Sequence, residues 1–205
     1  MAVYTKISKK DISYINRKFD IEKILEFKGI KQGIENTNYL LKSKNKKFIL
    51  TIFEKRVSKK ELPFFMNLMD KLNKSKINCP KPQTKKDGGY LINLKNKAAC
   101  IVSFLNGKDK KSLNFKNCYD IGKMIAEMHQ STKKMNLTRK NSMGVRNLNP
   151  LLKSIRFKSK KFTNVEKFLK NNFKDIKTKW PKNLPNGVIH GDLFIDNIFF
   201  KNNRL

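Results

Sequence analysis

The segment VIHGDLFIDNIFF, residues 188–200, is the part of the chain that bears most directly on its fold. Two runs rich in Val, Ile and Phe, at 188–189 and 198–200, predict short strands, and the polar residues between them predict a tight loop. That loop contains His190, Asp192, Asp196 and Asn197. A surface turn rich in Asp and Asn would have the same local sequence, so the rest of the chain must indicate whether the loop has a catalytic role.

The first half of the chain is predicted to be rich in strands. Capping-box patterns at 8–11 and 58–61 predict a short first helix and a second helix over 59–74. Alternating apolar and turn residues predict strands near 24–31, 37–43, 47–54, 89–94 and 97–105. We expect a polar turn at Asn96 and Lys97 to join the last two strands.

The second half is predicted to be mainly helical. Apolar residues at spacings of three and four predict a helix over 117–131, with Tyr119 or Asp120 near its start. The same pattern predicts another helix at about 163–172. A short polar segment at about 104–110 is the expected hinge between the two halves, and a Pro-rich connector leads into the opening segment.

This order of parts is typical of a protein-kinase-like arrangement, with a strand-rich lobe, a hinge, a helical lobe and a polar loop. Asp192 is followed by four residues and then by Asn197, which is the spacing of the protein-kinase catalytic loop, with Gly191 at the place of its Arg. In such a loop the carboxylate accepts the proton of an attacking hydroxyl, and the Asn oxygen holds Mg²⁺. We expect His190 to brace the loop.

The sequence resembles the homoserine kinase family, within the superfamily of aminoglycoside phosphotransferases and choline kinases. The resemblance covers the whole chain and is carried by MAVYTKIS (1–8), FKGIKQGIENTNYLL (27–41), FILTIFEKR (48–56), ELPFFMNLMDKL (61–72), CPKP (79–82) and GVIHGDLFIDNIFF (187–200). It implies an α+β, protein-kinase-like two-lobe fold. A strand-rich N-terminal nucleotide-binding lobe would occupy 1–104, and a partial, mainly helical C-terminal catalytic lobe would occupy 105–205.

The resemblance also implies a reaction. The family transfers the γ-phosphoryl group of ATP to the side-chain hydroxyl of L-homoserine, which gives O-phospho-L-homoserine for threonine biosynthesis. ATP and Mg²⁺ are therefore the expected cofactors. Matched residue by residue, Asp192 is the expected catalytic base and Asn197 a magnesium ligand. The expected nucleotide-binding residues are Gly33, Asn36, Thr37 and Asn38 in a turn over the phosphates, Lys55 after the third strand, and Ser103 and Leu105 at the hinge.

Two departures from the family pattern affect this expectation. Thr51 stands where the superfamily usually has its phosphate-binding Lys, so Lys55 or Arg56 would have to supply that charge, with Glu61 or Asp70 as a possible partner. The family also places a magnesium-binding Asp on a strand just beyond the catalytic loop, whereas this sequence ends at Leu205. On that ground we expect the 205-residue chain to be C-terminally truncated, inactive and poorly folded.

Composition narrows the possible partners. The net charge of +31 could indicate a nucleic-acid-binding protein, but 41 lysines against 6 arginines are scattered along the chain, and readers of phosphates and bases favour Arg. We therefore expect no specific nucleic-acid partner. No segment approaches the roughly 18 apolar residues of a membrane span, and no signal peptide is evident, so a cytoplasmic protein is expected.

Two other functions remain open at this point. One is another small-molecule kinase of the superfamily, acting on choline, an aminoglycoside or a sugar. The other is a non-catalytic basic protein that binds nucleic acid. The sequence does not indicate an oligomeric state.

Overall fold

A five-stranded antiparallel sheet forms the centre of the N-terminal part of the fold. The computed structural model describes residues 3–33, 35–54, 58–142, 144–155, 163–202 and 205. The strands are β1 (Glu26–Gly29), β2 (Thr37–Lys42), β3 (Lys47–Ile52), β4 (Leu91–Leu94) and β5 (Lys97–Ser103), and their order in the sheet is β1-β2-β3-β5-β4. Every neighbouring pair is antiparallel. Each strand lies within its predicted range, so the five strand predictions are confirmed.

The turn between β4 and β5 differs from the prediction by one residue. Lys95 and Asn96 are the two turn residues, with φ of 52° and 61°, and Leu94 pairs with Lys97 across the turn. Positive φ at both central positions is the backbone of a type I′ hairpin, whose twist matches that of the strands. The prediction of Asn96 and Lys97 was therefore wrong, because Lys97 already belongs to β5.

Side chains alternate between two cores on the two faces of the sheet. Along β5, Ala99 and Ile101 pack into one core cluster, whereas Cys100 and Val102 pack into another. The first cluster includes Ile15, which lies in helix α1 (Lys9–Lys18), and Phe19, which directly follows that helix. The second cluster includes Met66 from helix α2 (Leu62–Lys74). Successive strand residues point to opposite faces, so a sheet with a helix on each face buries both sets.

The two predicted capping boxes had different outcomes. At α1 the Ser8 side chain accepts from the amide of Asp11, and the Asp11 carboxylate accepts from the amide of Ser8, so that box is confirmed. At α2 the helix begins at Leu62, and its N-cap residue Glu61 makes no side-chain capping bond. The box based on Ser58 was wrong, because Pro63 fits the first helical turn and sets the start of the helix there.

Helix α3 (Phe115–Lys133) begins earlier than the sequence suggested. Its capping box joins Asn114 to Asn117, and each side chain accepts from the other residue's amide. The helix predicted over 117–131 is confirmed and begins two residues earlier, because Asn114 caps it in a reciprocal pair with Asn117. The buried stripe of α3 includes the predicted Ile121 and Met128.

The chain divides into two compact units. One comprises the chain up to Leu137 together with Val188–Leu205, and the other comprises Thr138–Gly187. The second unit contains helices α4 (Val145–Ser154) and α5 (Thr163–Lys179). Helix α4 was not predicted, because its interior contains Pro150. Helix α5 continues beyond the predicted residue 172, where pairs such as Asp175–Lys179 support another two turns. A lobe boundary near residue 104 stays a prediction.

Within the described ranges, no helix combines the length and the apolar composition that crossing a membrane requires.

Candidate active site

The candidate catalytic loop folds around a contact between its two predicted functional residues. The side-chain amide of Asn197 donates to the backbone oxygen of Asp192 at 2.9 Å and to its carboxylate Oδ2 at 3.3 Å. A 3₁₀ turn at Ile195–Asn197 brings the two residues together across the loop. Because Asn197 donates through Nδ2, its Oδ1 is the atom left for a cation, and the second carboxylate oxygen of Asp192 is left for a substrate hydroxyl.

A glycine makes the tight entry to this loop possible. Gly191 has φ of +78°, in the left-handed region that residues with a Cβ rarely adopt. An added Cβ would meet no heavy atom within 4 Å, so the requirement for glycine is conformational and not steric. Asp192 and Asp196 are both exposed, as is His190, whose bracing role stays a prediction.

The exit from the loop is fixed to the segment after β5. Phe200 forms an isolated antiparallel bridge with Lys108, through two backbone bonds of 3.0 and 2.9 Å. Ile198 and Phe200 are buried against Ile121 of α3. The run at 198–200 thus makes a single bridge within the described residues, so the predicted strand there is limited to one residue pair.

The segment around the bridge is closely packed. A Cβ on Gly107 would lie 3.0 Å from Phe199 Cβ and 3.3 Å from the Phe200 oxygen, so this position accepts little beyond glycine. Lys110 Nζ lies 4.6 Å from the Phe200 ring centroid and also donates to Asn117 at 3.0 Å. The catalytic loop is therefore held on α3 by apolar, backbone and cation–π contacts together.

The predicted phosphate turn joins β1 to β2. Gly33 has φ of +96°, which is the backbone that a tight turn of this kind requires. Asn36 accepts from the amide of Glu54 at 3.4 Å, and Asn38 accepts from the hydroxyl of Thr51 at 2.8 Å. Asn36 and Asn38 are therefore attached to β3 and the residues after it, while Thr37 between them begins β2.

Thr37 has a different place from the one predicted for it. Its side chain is completely buried, its hydroxyl donates to Glu54 at 2.6 Å, and it accepts from the amides of Tyr4 and Thr5. A hydroxyl with these three partners has no capacity left for a phosphate. Thr37 can therefore act on a nucleotide only through the position of the turn.

Glu54 and Lys97 adjoin this turn and were missed by the sequence reasoning. Their side chains form an ion pair between the end of β3 and the start of β5. The strand register would have indicated this ion pair. Ile52 faces Ala99, so Glu54, two residues after Ile52, faces Lys97, two residues before Ala99. Charged residues at strand ends are usually solvated, so the sequence alone gave no reason to single them out.

Part of the predicted hinge is hydrogen-bonded to neighbouring segments of the N-terminal part. The amide of Ser103 donates to Lys81, and the amide of Phe104 donates to Lys47. The backbone groups of Leu105 make no hydrogen bond with any part of the chain that the structure describes. Of the hinge residues predicted to bind adenine, Leu105 is therefore the one with free backbone groups.

The predicted phosphate-binding cation cannot be placed. Lys55 and Arg56 lie outside the described residues. Asp70, one of their suggested partners, pairs with Lys74 at 2.6 Å on the same helix.

Comparisons with known proteins bear on the family and the fold of this chain. The sequence profile of the phosphotransferase enzyme family matches residues 26–205. The chain belongs to this family. Among its curated relatives, the homoserine kinase of Rhizobium etli is 36% identical over 206 residues and that of Paramagnetospirillum magneticum is 38% identical over 201 residues. These alignments cover 100% and 98% of this chain, which spans 64% and 62% of the two relatives' lengths.

Solved structures of other proteins share the fold of this chain. A spectinomycin phosphotransferase in complex with ADP and spectinomycin superposes with a TM-score of 0.67 at 15% identity, covering 97% of this chain and 67% of that protein. A putative aminoglycoside phosphotransferase from Ralstonia eutropha gives a TM-score of 0.62 at 13% identity, covering 97% of this chain and 63% of that protein. The predicted protein-kinase-like α+β fold is therefore confirmed.

Proposed function

We propose that this chain contains the nucleotide-binding and catalytic-loop parts of an ATP- and Mg²⁺-dependent homoserine kinase. The observation that carries the proposal is the Asp192–Asn197 contact, in a chain 36–38% identical to homoserine kinases over nearly its whole length. The proposed product is O-phospho-L-homoserine, for threonine biosynthesis. Because ATP is the phosphoryl donor, we place the reaction in the cytoplasm.

Asp192 is the proposed general base. The side-chain hydroxyl of homoserine attacks the γ-phosphorus of ATP, its O–H proton passes to the Asp192 carboxylate, and the bond from the γ-phosphorus to the bridging oxygen breaks to release ADP. The bond to Asn197 fixes one carboxylate oxygen, which orients the other toward the acceptor. Phosphoryl transfer depends mainly on such positioning and on charge stabilisation.

Asn197 is the proposed magnesium ligand. Its side-chain oxygen is the donor not used within the loop, and hard oxygen donors are what Mg²⁺ prefers. Mg²⁺ is usually held by only one or two protein groups together with substrate phosphates and water, so Asn197 with Asp192 nearby fits this ion. When bound, Mg²⁺ neutralises charge on the phosphates during transfer.

The nucleotide is proposed to bind between the turn at 33–38 and the hinge. Gly33, Asn36 and Asn38 would face the phosphates, with Lys55 as the proposed cation. At the hinge, the free backbone groups of Leu105 would bond adenine, and Ser103 would hold the hinge to the sheet through its bonds to Lys81.

An acceptor panel tests the proposed substrate. The complete gene product is assayed with Mg²⁺-ATP and L-homoserine, choline, an aminoglycoside or a simple sugar, and phosphorylated products are identified by ³¹P NMR. We expect the highest kcat/KM for L-homoserine, since this ratio measures discrimination between substrates. Faster turnover of choline or an aminoglycoside would replace the proposed substrate, and no phosphorylation of any acceptor would overturn the kinase assignment.

A further inference from the structure

A largely buried polar cluster lies directly beside the proposed phosphate turn. The cluster consists of Thr5, Thr37, Glu54 and Lys97. Glu54 Oε1 accepts from the hydroxyl of Thr37 at 2.6 Å and from that of Thr5 at 2.7 Å. Glu54 Oε2 pairs with Lys97 Nζ, which also donates to Thr5 at 2.7 Å. Both carboxylate oxygens of Glu54 are therefore occupied by defined donors.

The cluster ties together four segments that are far apart in sequence. It joins the N-terminal segment, the start of β2, the second residue after β3 and the start of β5. Thr37 adds two bonds by accepting from the amides of Tyr4 and Thr5. The amide of Glu54 donates to Asn36, so the residue that accepts all these bonds also holds a member of the turn directly.

Burial makes the ion pair sensitive to the loss of either partner. The side chain of Glu54 is 10% exposed and that of Lys97 is 35% exposed. Burial by itself would raise the pKa of Glu54, but the hydrogen bonds from Lys97, Thr37 and Thr5 outweigh it and hold that pKa below its usual value. If Lys97 lost its charge, a buried carboxylate would remain without its counter-ion, which strongly disfavours the native arrangement of the cluster.

We propose that Glu54 and Lys97 are positioning residues that hold the turn at 33–38 in its nucleotide-binding shape before ATP arrives. This inference rests on the proposed function, since it assigns the turn to the nucleotide. Among the described residues of the turn, Gly33 has left-handed backbone, and the end of the turn is fixed through Asn36 and Thr37. A turn that is already ordered loses less conformational entropy on binding, so pre-ordering should appear as tighter nucleotide binding.

A second ion pair in the same sheet provides a matched control. Lys42 pairs with Glu26 at 2.9 Å across β1 and β2, and both of these side chains are largely exposed. In the strand register this pair lies at the end of the hairpin opposite the turn, three residue pairs from Gly29–Tyr39. Removing it deletes a cross-strand ion pair without touching the turn.

The experiment compares Lys97→Met and Glu54→Gln with the controls Lys42→Met and Glu26→Gln in the complete gene product. ATP affinity is measured by calorimetry, and KM for ATP, KM for the acceptor, kcat and Tm are measured in parallel. We expect Lys97→Met to weaken ATP binding and raise KM for ATP by about ten-fold or more, because the turn must then be ordered when the nucleotide binds. We expect kcat at saturating ATP and KM for the acceptor to stay within about two-fold, as a loss of nucleotide binding alone predicts.

The double variant Glu54→Gln/Lys97→Met keeps the result interpretable if Lys97→Met fails to fold. It leaves no charge in the cluster, and the side-chain oxygen of the introduced amide can still accept from the two threonines. We expect the double variant to bind ATP less tightly than wild type. Its loss of binding free energy should be smaller than the sum of the losses in the two single variants, because the residues act as a pair.

Each outcome decides between the inference and the proposed function. If the cluster variants lower Tm while ATP affinity stays within about two-fold of the controls, the role is purely structural and the inference is overturned. If they weaken ATP binding but no acceptor is phosphorylated, the inference stands and the homoserine kinase proposal falls. If the wild-type protein binds no nucleotide, both are overturned.

Discussion

At the scale of single residues, the reaction is expected to depend most on Asp192. Replacing it by Asn removes the proton acceptor and keeps the shape of the side chain. Since a positioned base contributes about 10² to 10⁴ in rate, we expect kcat to fall by that factor with ATP affinity nearly unchanged. Steady-state kinetics with calorimetric ATP binding, on the complete gene product, measures both.

Asp196→Asn is the matched control for this substitution. Asp196 is also an exposed loop carboxylate, but the Asn197 side chain bonds to Asp192 and not to it. We expect it to matter far less to kcat. If Asp192→Asn keeps more than about a tenth of the wild-type kcat, the assignment of the base is wrong.

Asn197→Ala tests the proposed metal ligand. The substitution removes the side-chain oxygen proposed to hold Mg²⁺ and the bond that orients Asp192. We expect the Mg²⁺ concentration for half-maximal activity to rise by roughly ten-fold or more, with added Mg²⁺ restoring part of the rate. A Mg²⁺ titration of activity measures this, and an unchanged Mg²⁺ requirement would contradict the ligand assignment.

At the scale of elements, two glycines are expected to respond oppositely to alanine. On Gly107 the new methyl group would press on Phe199 and Phe200, and overpacking of this kind costs about 1–3 kcal/mol. On Gly122, inside α3, it would meet nothing within 4 Å and should stabilise the helix by about 0.5–1 kcal/mol. Urea unfolding of both variants gives the sign of each change. Stabilisation by Gly107→Ala would contradict the close packing of the catalytic loop exit.

The turn between β2 and β3 is held by the carboxylate of Glu22, and we expect this contact to weaken at acid pH. Glu22 accepts from the Ser43 hydroxyl at 2.5 Å and from the backbone and side chain of Asn45 at 2.9 Å each. These bonds, the one from Ser43 first, lower the pKa of Glu22 to about 2 from its usual 4.5.

The direction of the pH effect follows from that lowered pKa. A carboxylate with a lower pKa in the folded state stabilises it fully above the unfolded value, and this stabilisation is lost as pH falls through the folded value. We therefore expect the stability difference between wild type and Glu22→Gln to shrink between pH 4.5 and about 2. Denaturant unfolding across this range measures it, and a difference independent of pH would show that Glu22 does not hold the hairpin.

At the scale of the whole molecule, the net charge of +31 is expected to produce adhesion to nucleic acids without specificity. Such binding comes from counterion release and weakens steeply with added salt. We expect a Kd no tighter than about 10⁻⁶ M for any duplex at physiological salt, equal for a chosen sequence and its scrambled control. Fluorescence anisotropy at two salt concentrations tests this. Sequence-dependent binding near 10⁻⁸ M would favour a nucleic-acid-binding protein instead.

The sequence by itself determined the strands, most of the helices and the residues of the candidate catalytic loop. The strands could be predicted because the period of two along β2 and β3 depends only on neighbouring residues. The spacing of Asp192 and Asn197 is likewise local, and a short 3₁₀ turn is enough to bring them into contact. The helix start at Leu62 and the helix through Pro150 were missed. Proline occurs in turns, in the first turn of helices and at helix kinks, so its presence does not by itself show which of these forms.

Only the tertiary structure decided which distant residues support the site. Thr5 and Lys97 are 92 positions apart, yet they share Glu54 because β3 and β5 are neighbours in the sheet. Gly107 looks like an ordinary loop glycine until Phe199 packs on it. Such contacts depend on strand order and on how the loop rests on α3, which no local pattern of residues encodes, so the sequence alone suggested the candidate loop residues but not the Glu54–Lys97 pair or the packing on Gly107.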